Sequence, residues 1–383
     1  MKTVALYYED CHKKEFTAQV LFCTQGKNGY EVILDQTAFY PEGGGQPGDT
    51  GVLNHIRVTD TRHKEDLIVH ICEKPLQVGS TVTGKIDWDR RFDFMQQHTA
   101  EHILSGLIHK QFGYHNVGFH MGADCVTMDF DGEIPKAALQ ELETQANQAV
   151  FANLPVLCSV PDPDALQEIS YRTKRPLPWP VRLVEVPGYD RCACCGIHVG
   201  YTGEVGLIKI LSVVKFHQGI RMEMVCGNKA LAMMQKVYQQ NMLVSQAFSA
   251  KILETGIAAQ KMNEQLAQQK FQITGLSRRL LGYIASSYEG KGDCVHFETD
   301  LPTATLRELA DKIATVCGGT AVVFSGSDEL GYSFCIVDKE KDVSALGARL
   351  TQLCRGRGGG KKGFFQGSLQ STKAEIENVS IFV

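Results

Sequence analysis

Apolar and polar residues alternate in short runs over the first 88 positions, with turn residues between the runs. Phe16 to Thr24 and Tyr30 to Leu34 flank Asn28 and Gly29, a pair suited to a hairpin turn. Gly51 to Thr59, Asp66 to Cys72 and Ser80 to Ile86 continue the series. Five or six strands at this spacing predict a small β-barrel over residues 1–88, with no helical pattern in it.

At Asp87 the period changes. From Asp89 to Lys110, the residues Phe92, Met95, His98 or Thr99, His102, Leu104 and Ile108 recur at helical spacing, and Gly113 closes the helix. A strand is predicted at Cys125 to Phe130. A second amphipathic helix follows at Lys136 to Asn153, with Leu139, Leu142, Ala146 and Val150 on one face. Strand-like runs at Val156–Val160, Val181–Val186, Val205–Val214 and Ile220–Cys226 make residues 89–228 an α+β part. Residues 229–288 lack proline and read as helical, broken at Gly256. From 289 to 383 strands (Cys294–Glu298, Ala321–Phe324, Tyr332–Val337) alternate with helices (Leu306–Val316, Val343–Cys354), and a Gly- and Lys-rich loop is predicted from Arg355 to Gly363. The fold class expected is α+β, in several domains.

Composition narrows the function. Hydrophobic residues are 43% and charged residues 21%, which excludes a disordered chain. Charges break up Met1 to Phe16, so no secretory signal is predicted, and no run is long and apolar enough to span a bilayer. The expected location is the cytoplasm. Thirteen cysteines are then buried thiols or metal ligands rather than disulfides. A net charge of −4 excludes nucleic-acid binding by bulk charge. The charge is unevenly spread: between 229 and 288 seven Lys or Arg oppose two Glu. That basic helical segment is suited to phosphate backbones or to a solvated surface.

Three motifs carry candidate chemistry. His98 and His102, four apart on a helix, place two imidazoles on one face. Cys192-Ala193-Cys194-Cys195-Gly196-Ile197-His198 puts three thiols and an imidazole within seven residues. Together they supply imidazoles and thiolate for a tetrahedral zinc site. The zinc-protease pattern is absent, because Thr99 rather than Glu follows His98. Third, Gly43-Gly44-Gly45-Gln46 lets backbone approach a ligand closely, yet is neither a phosphate-cradling P-loop nor a dinucleotide fingerprint.

In this order, Gly-Gly-Gly-Gln, His-x-x-x-His and Cys-x-x-x-His resemble the editing module of alanyl-tRNA synthetase and its free-standing relatives, the AlaX alanyl-tRNA editing proteins. Asp89-Arg90-Arg91 before the histidines agrees, as does His198-Val199-Gly200-Tyr201-Thr202-Gly203-Glu204. The run Arg357-Gly358-Gly359-Gly360-Lys361-Lys362-Gly363 resembles the glycine-rich end of the synthetase C-terminal domain, which also accompanies DHH phosphoesterases. No Asp-His-His motif occurs, and 88 residues leave no room for an aminoacylation domain before the editing core. The resemblance covers nearly the whole chain and points to the long form of AlaX.

The resemblance implies zinc held by His98, His102, Cys194 and His198, with Cys192 and Cys195 as rival thiols. It implies hydrolysis of wrongly charged tRNA(Ala), chiefly seryl-tRNA(Ala), with His98, His102 and Gln46 in the catalytic site. Gly43, Gly44, Gly45 and Gln46 would line the site. Arg90 and Arg91 are expected at phosphates, and Gly358, Gly359, Gly360, Lys361 and Lys362 at the tRNA body. A homodimer through the C-terminal domain is also implied. Ile197 departs from the family, which often has Thr before the last His. Rival readings are editing of another mischarged tRNA, a non-catalytic tRNA-binding protein with a structural zinc, and a zinc hydrolase of small esters.

Overall fold

The structure, a computed structural model, describes residues 3–65, 67–173, 177–379 and 381–382. The chain divides into two compact units, residues 1–243 and 244–383, and the boundary falls within the helix Gly227–Ala247.

In the first unit six strands close into an antiparallel barrel, in the order Glu15–Gly26, Gly29–Leu34, Leu67–Cys72, Ile56–Lys64, Gly51–Leu53 and Thr81–Ile86. Burial alternates along Thr81–Ile86, so Val82, Gly84 and Ile86 face inward. Phe16, Val20, Val32, Leu34, Phe39, Leu53 and Val58 fill the interior with them. Two expectations fail here. The run Gly51–Thr59 is not one strand but a hairpin, because Asn54 takes φ 53 and reverses the chain between Leu53 and Ile56. One helical turn, Leu6–Glu9, also precedes the barrel. The expected strand start at Asp66 lies outside the described residues.

The helix Trp88–Phe112 leaves the last barrel strand and is buried on most of its surface. Its end is capped by Gly113 at φ 74. Against it pack the helix Lys136–Phe151 and a four-stranded antiparallel sheet ordered Ile208–Phe216, Gly219–Cys226, Val126–Phe130 and Asn116–Met121. Met95, Ile103, Leu104 and Ile108 meet Met128, Phe130, Leu142, Ala146, Met222 and Met224 in one core. A smaller sheet, Leu157–Ser159, Leu183–Val186 and Asp190–Ala193, lies alongside. The strand expected from Val205 starts later, at Ile208, because Thr202–Val205 is a 3₁₀ turn ended by Gly206 at φ 70.

The predicted helical stretch is two helices, Gly227–Ala247 and Thr255–Ser286. The break precedes Gly256: Ser249 takes φ 50 and Ile252–Glu254 is a 3₁₀ turn. Gly256 itself sits in the first turn of the second helix, where glycine costs little.

The second unit carries a five-stranded sheet. Gly292–Glu298 runs parallel to Gly318–Ser327, joined by the crossover helix Thr303–Cys317. Gly331–Val337, Phe364–Leu369 and Arg357–Lys361 then add on antiparallel. Alternate residues serve two cores: Ala321 and Val323 face Leu309 and Ile313, whereas Val322 and Phe324 lie with Leu350 and Phe365. The Gly-rich run from Arg355 is therefore not a loop. Gly358 pairs with Gly367 and Gly360 with Phe365 across a hairpin that turns at Lys362–Gly363. A Cβ on Gly360 would stand 2.1 Å from the Phe364 carbonyl oxygen, so this strand closes only with glycine.

Candidate metal centre

Four side chains from two parts of the first unit converge. The helix Trp88–Phe112 supplies His98 and His102, one turn apart. The turn after the strand Asp190–Ala193 supplies Cys194 and His198. One ligand atom from each lies within 4.8 Å of every other, so the set can hold one metal ion. Cys194 Sγ is 3.4 Å from His98 Nε2 and 3.5 Å from His198 Nε2. Cys192 belongs to a different group, with His102 and Asp190.

Two glycines make this convergence possible. A Cβ on Gly196 would stand 2.1 Å from the His98 ring. Gly106, one turn beyond His102, lets the Tyr189 carbonyl come within 2.4 Å of its own missing Cβ. The hairpin therefore closes onto the helix and delivers Asp190 beside His102.

Each imidazole is held by its second nitrogen. His98 Nδ1 is 3.1 Å from Gln46 Oε1, and His198 Nδ1 is 3.2 Å from Thr99 Oγ1. His102 Nδ1 is 3.0 Å from Asp190 Oδ2, a charge contact that lies off the line of a good hydrogen bond. Arg172 grips the same carboxylate with two donors, at 2.6 and 2.9 Å. Such partners fix which nitrogen faces a metal. Glu101, also buried, places Oε2 3.8 Å from His102 Nε2, while its Oε1 accepts from Ser105 and Asn116.

The electrostatics suit a thiolate. Burial pushes the Cys194 thiol up, but the His98 charge and hydrogen bonds from the imidazoles outweigh it and hold the group well below its ordinary value. Burial opposes the charge on His102, yet Asp190 and Cys194 raise it well above the usual histidine range. Burial and the neighbouring imidazoles lower His198. A metal ion would take the place of those protons.

The glycine loop reaches the cluster from the barrel. Gly43 and Gln46 bond each other's backbone at 3.0 Å, and Gly44 and Gly45 take φ 60 and 82. Gln46 Oε1 accepts from the Ile197 amide at 3.1 Å and touches His98. Gln46 Nε2 is buried without a partner among the described residues. Ile197 turns its side chain into the core and meets Gln46 only through its backbone.

Arg91 corrects an expectation. It is 1% exposed, and its guanidinium pairs with Asp49 and donates to the Ala38 carbonyl at 2.6 Å, so it is unavailable to phosphate. Arg90 is half-buried, donating to the Gly48 carbonyl at 2.7 Å with its guanidinium over Phe94. Gly358, Gly359, Gly360, Lys361 and Lys362 lie exposed on and just beyond the edge strand of the second unit. Asp190 and Arg172 carry no signal in the sequence, and nor do the roles of Thr99 and Glu101 beside the histidines. Thr99 and Glu101 themselves fall within the His98–His102 run.

Comparison with known proteins matches these regions. A family profile described as "tRNA synthetases class II (A)" covers residues 3–90, the stretch that forms the barrel and carries Gln46. One described as "Threonyl and Alanyl tRNA synthetase second additional domain" covers residues 181–238, with Asp190, Cys194 and His198. The zebrafish (Danio rerio) alanyl-tRNA editing protein Aarsd1 is 29% identical over 96% of this chain and 95% of its own. Alanyl-tRNA editing protein AlaX-L of Pyrococcus horikoshii is 34% identical over 61% of this chain and 60% of its own. The alanine–tRNA ligase of Pyrococcus abyssi is 31% identical over all of this chain, which spans only 43% of the ligase. These matches support an AlaX-type alanyl-tRNA editing protein.

Proposed function

We propose that this protein hydrolyses the ester between a wrong amino acid, chiefly serine, and the 3′ end of tRNA(Ala), with zinc held by His98, His102, Cys194 and His198. The observation that carries this is the convergence of four donor atoms within 4.8 Å. Three imidazoles and a thiolate suit Zn²⁺, and the partners on all three Nδ1 atoms match what zinc-binding histidines need. Bound there, zinc would supply Lewis acidity to the ester and a fixed point for the aminoacyl group.

The chain's own residues do the rest. His98 and His102 orient the metal and Gln46 sets the angle of His98. The unpartnered Gln46 Nε2 donates to a substrate oxygen. Gly43, Gly44 and Gly45 line the approach with backbone, and a Cβ on Gly45 would stand 2.7 Å from the Phe119 ring. The physical need is plain: a synthetase pocket built for alanine barely penalises one added hydroxyl, so serine must be removed after transfer by a site that binds that hydroxyl.

In this reading the barrel (1–88) presents the loop and residues 89–228 hold the metal. The helices (229–288) and the C-terminal part (289–383) hold the tRNA body and pair two copies. Arg90, which donates to the Gly48 carbonyl at the loop base, serves as a phosphate contact. In the second unit a cavity of about 630 Å³ is lined by Arg307, Arg357, Gly358 and Gly359, with no carboxylate among its lining residues. It supports the assignment of Gly358 to Lys362 to tRNA. The thirteen free cysteines suit the reducing cytoplasm. Among the described residues no helix is long and apolar enough to cross a membrane.

The test is deacylation of seryl-tRNA(Ala), with alanyl-tRNA(Ala) and seryl-tRNA(Ser) as controls and a His98→Ala/His102→Ala variant beside the wild type. Serine should leave tRNA(Ala) alone, and the variant should be inactive. A folded, zinc-loaded protein without turnover would overturn the proposal in favour of a tRNA-binding module with a structural zinc.

A further inference from the structure

The turn that carries Cys194 has its backbone carbonyls taken, one after another, by two side chains. Leu183 pairs with Ala193 at the end of the hairpin, and the ladder goes one step further where Cys194 N donates to the Arg182 carbonyl at 3.0 Å. Arg182 then folds back over the turn. Its Nη1 donates to the Cys194 carbonyl at 2.8 Å and the Gly196 carbonyl at 2.9 Å. Between those two, the Cys195 carbonyl accepts from the Tyr8 hydroxyl at 2.7 Å. The two side chains also hold each other, with the guanidinium 4.7 Å above the Tyr8 ring. The second Arg182 Nη donates to Cys158 Sγ at 3.0 Å.

In a trans peptide the C=O and the following N–H point in opposite directions within one plane. Pinning a carbonyl therefore aims the next amide the other way. The Cys195 carbonyl, held by Tyr8, belongs to the peptide whose N–H is that of Gly196, and this amide donates to Cys194 Sγ at 3.3 Å. The Gly196 carbonyl, held by Arg182, belongs to the peptide whose N–H is that of Ile197, and this amide donates to Gln46 Oε1 at 3.1 Å. One pinned peptide thus steadies the thiolate, and the next steadies the amide group that orients His98.

We infer that Arg182 and Tyr8 are positioning residues of the metal centre, acting through the Cys194–Gly196 backbone to place the Cys194 thiolate and the Gln46 carbonyl. This rests on the metal reading above. Neither residue touches the proposed ligand atoms, and they come from different elements of the first unit: Tyr8 from the helical turn before the barrel, Arg182 from the position just before the strand Leu183–Val186.

The test uses the full chain stripped of metal and titrated with cobalt(II), whose thiolate charge-transfer band reports the Cys194 bond directly. Affinity comes from competition with a chelator. Tyr8→Phe removes one oxygen atom and keeps the ring. It should weaken cobalt binding by about 10-fold and shift the band. Arg182→Met should weaken it by about 10- to 100-fold, and Arg182→Lys should restore little, because an ammonium lacks the planar fork. Arg191→Met serves as a control, since Arg191 pairs with Glu185 on the same hairpin. A purely structural role would lower the melting temperature of the metal-free chain and leave affinity and band as in the wild type. That result for both Tyr8→Phe and Arg182→Met would overturn the inference. A wild-type chain giving no thiolate–cobalt band would instead overturn the metal reading beneath it.

Discussion

A histidine binds metal through one ring nitrogen and is aimed by what its other nitrogen meets. In this chain the three aiming groups differ: an amide oxygen at His98, a hydroxyl at His198 and a carboxylate at His102. The carboxylate is the most consequential, since Asp190 is itself clamped by Arg172. Burial pushes its carboxyl up, but His102 and Arg172 hold it below the ordinary range. Asp190→Asn keeps the shape and removes the charge. It should weaken zinc binding by about 10- to 100-fold, measured by chelator competition on a chain whose circular dichroism is unchanged. Wild-type affinity in that variant would show that the carboxylate serves only the hairpin. The His98–His102 pair and the Cys192–His198 cluster were legible in the sequence because their spacing is local, while the choice of Cys194 among three thiols rested on the resemblance. Asp190 and Arg172 were not legible, because their roles depend on a hairpin closing over Gly106, and no local pattern encodes that approach.

Between elements, the Arg91–Asp49 pair joins the barrel to the helix that carries His98 and His102. Asp49 also accepts from the Tyr40 amide at 2.6 Å, and Arg91 reaches the Ala38 carbonyl, so both ends of the loop carrying Gln46 are tied to the helix two turns before His98. Arg91→Met leaves Asp49 charged and buried. It should cost about 3–5 kcal/mol of stability, whereas Arg91→Met with Asp49→Asn should recover part of that loss. Urea unfolding of the two variants decides it, and equal losses would mean the pair is not coupled. The barrel also holds a buried histidine. His70 is fully enclosed, with Nδ1 against the Val32 carbonyl at 3.1 Å and Nε2 against Thr37 Oγ1 at 2.8 Å. Burial lowers it to about 4, the Val32 carbonyl opposing. The unfolded chain therefore takes the proton first. The His70 contribution to stability should be whole above about pH 6.5, fall by about 3 kcal/mol between pH 6.5 and 4, and change no further below. Relative to wild type, His70→Gln should remove that slope from a urea-midpoint series, and an unchanged slope would assign the acid sensitivity elsewhere. Element types are mostly readable from periodicity, but the Gly-rich strand Arg357–Lys361 reads as a loop in the sequence. Its glycines carry no hydrophobic pattern, and its pairing with Phe364–Leu369 rests on close backbone contact instead.

At the scale of the whole molecule, a net charge of −4 has to be reconciled with a polyanionic substrate. Bulk attraction is excluded, so tRNA affinity must come from local cations set apart from acidic surface. Several arginines are already neutralised: Arg57, Arg62, Arg91, Arg172, Arg191, Arg221 and Arg355 each pair with a carboxylate, Arg91 and Arg172 of them in the interior. The cavity beside Gly358 and Gly359 brings Arg307 and Arg357 together without one, and Lys361 and Lys362 stand exposed at the tip of the same hairpin. Replacing both lysines by alanine should weaken tRNA binding most at low salt. The slope of log affinity against log salt should become shallower by about 1–2, since each phosphate contact contributes about 0.9. Turnover at saturating tRNA should be unchanged, because the change leaves the metal centre intact. A minihelix that carries only the acceptor stem should be deacylated equally well by variant and wild type. An unaltered salt slope on full-length tRNA would remove the hairpin tip from the interface. A lost turnover on the minihelix would mean that these lysines serve the acceptor end rather than the tRNA body.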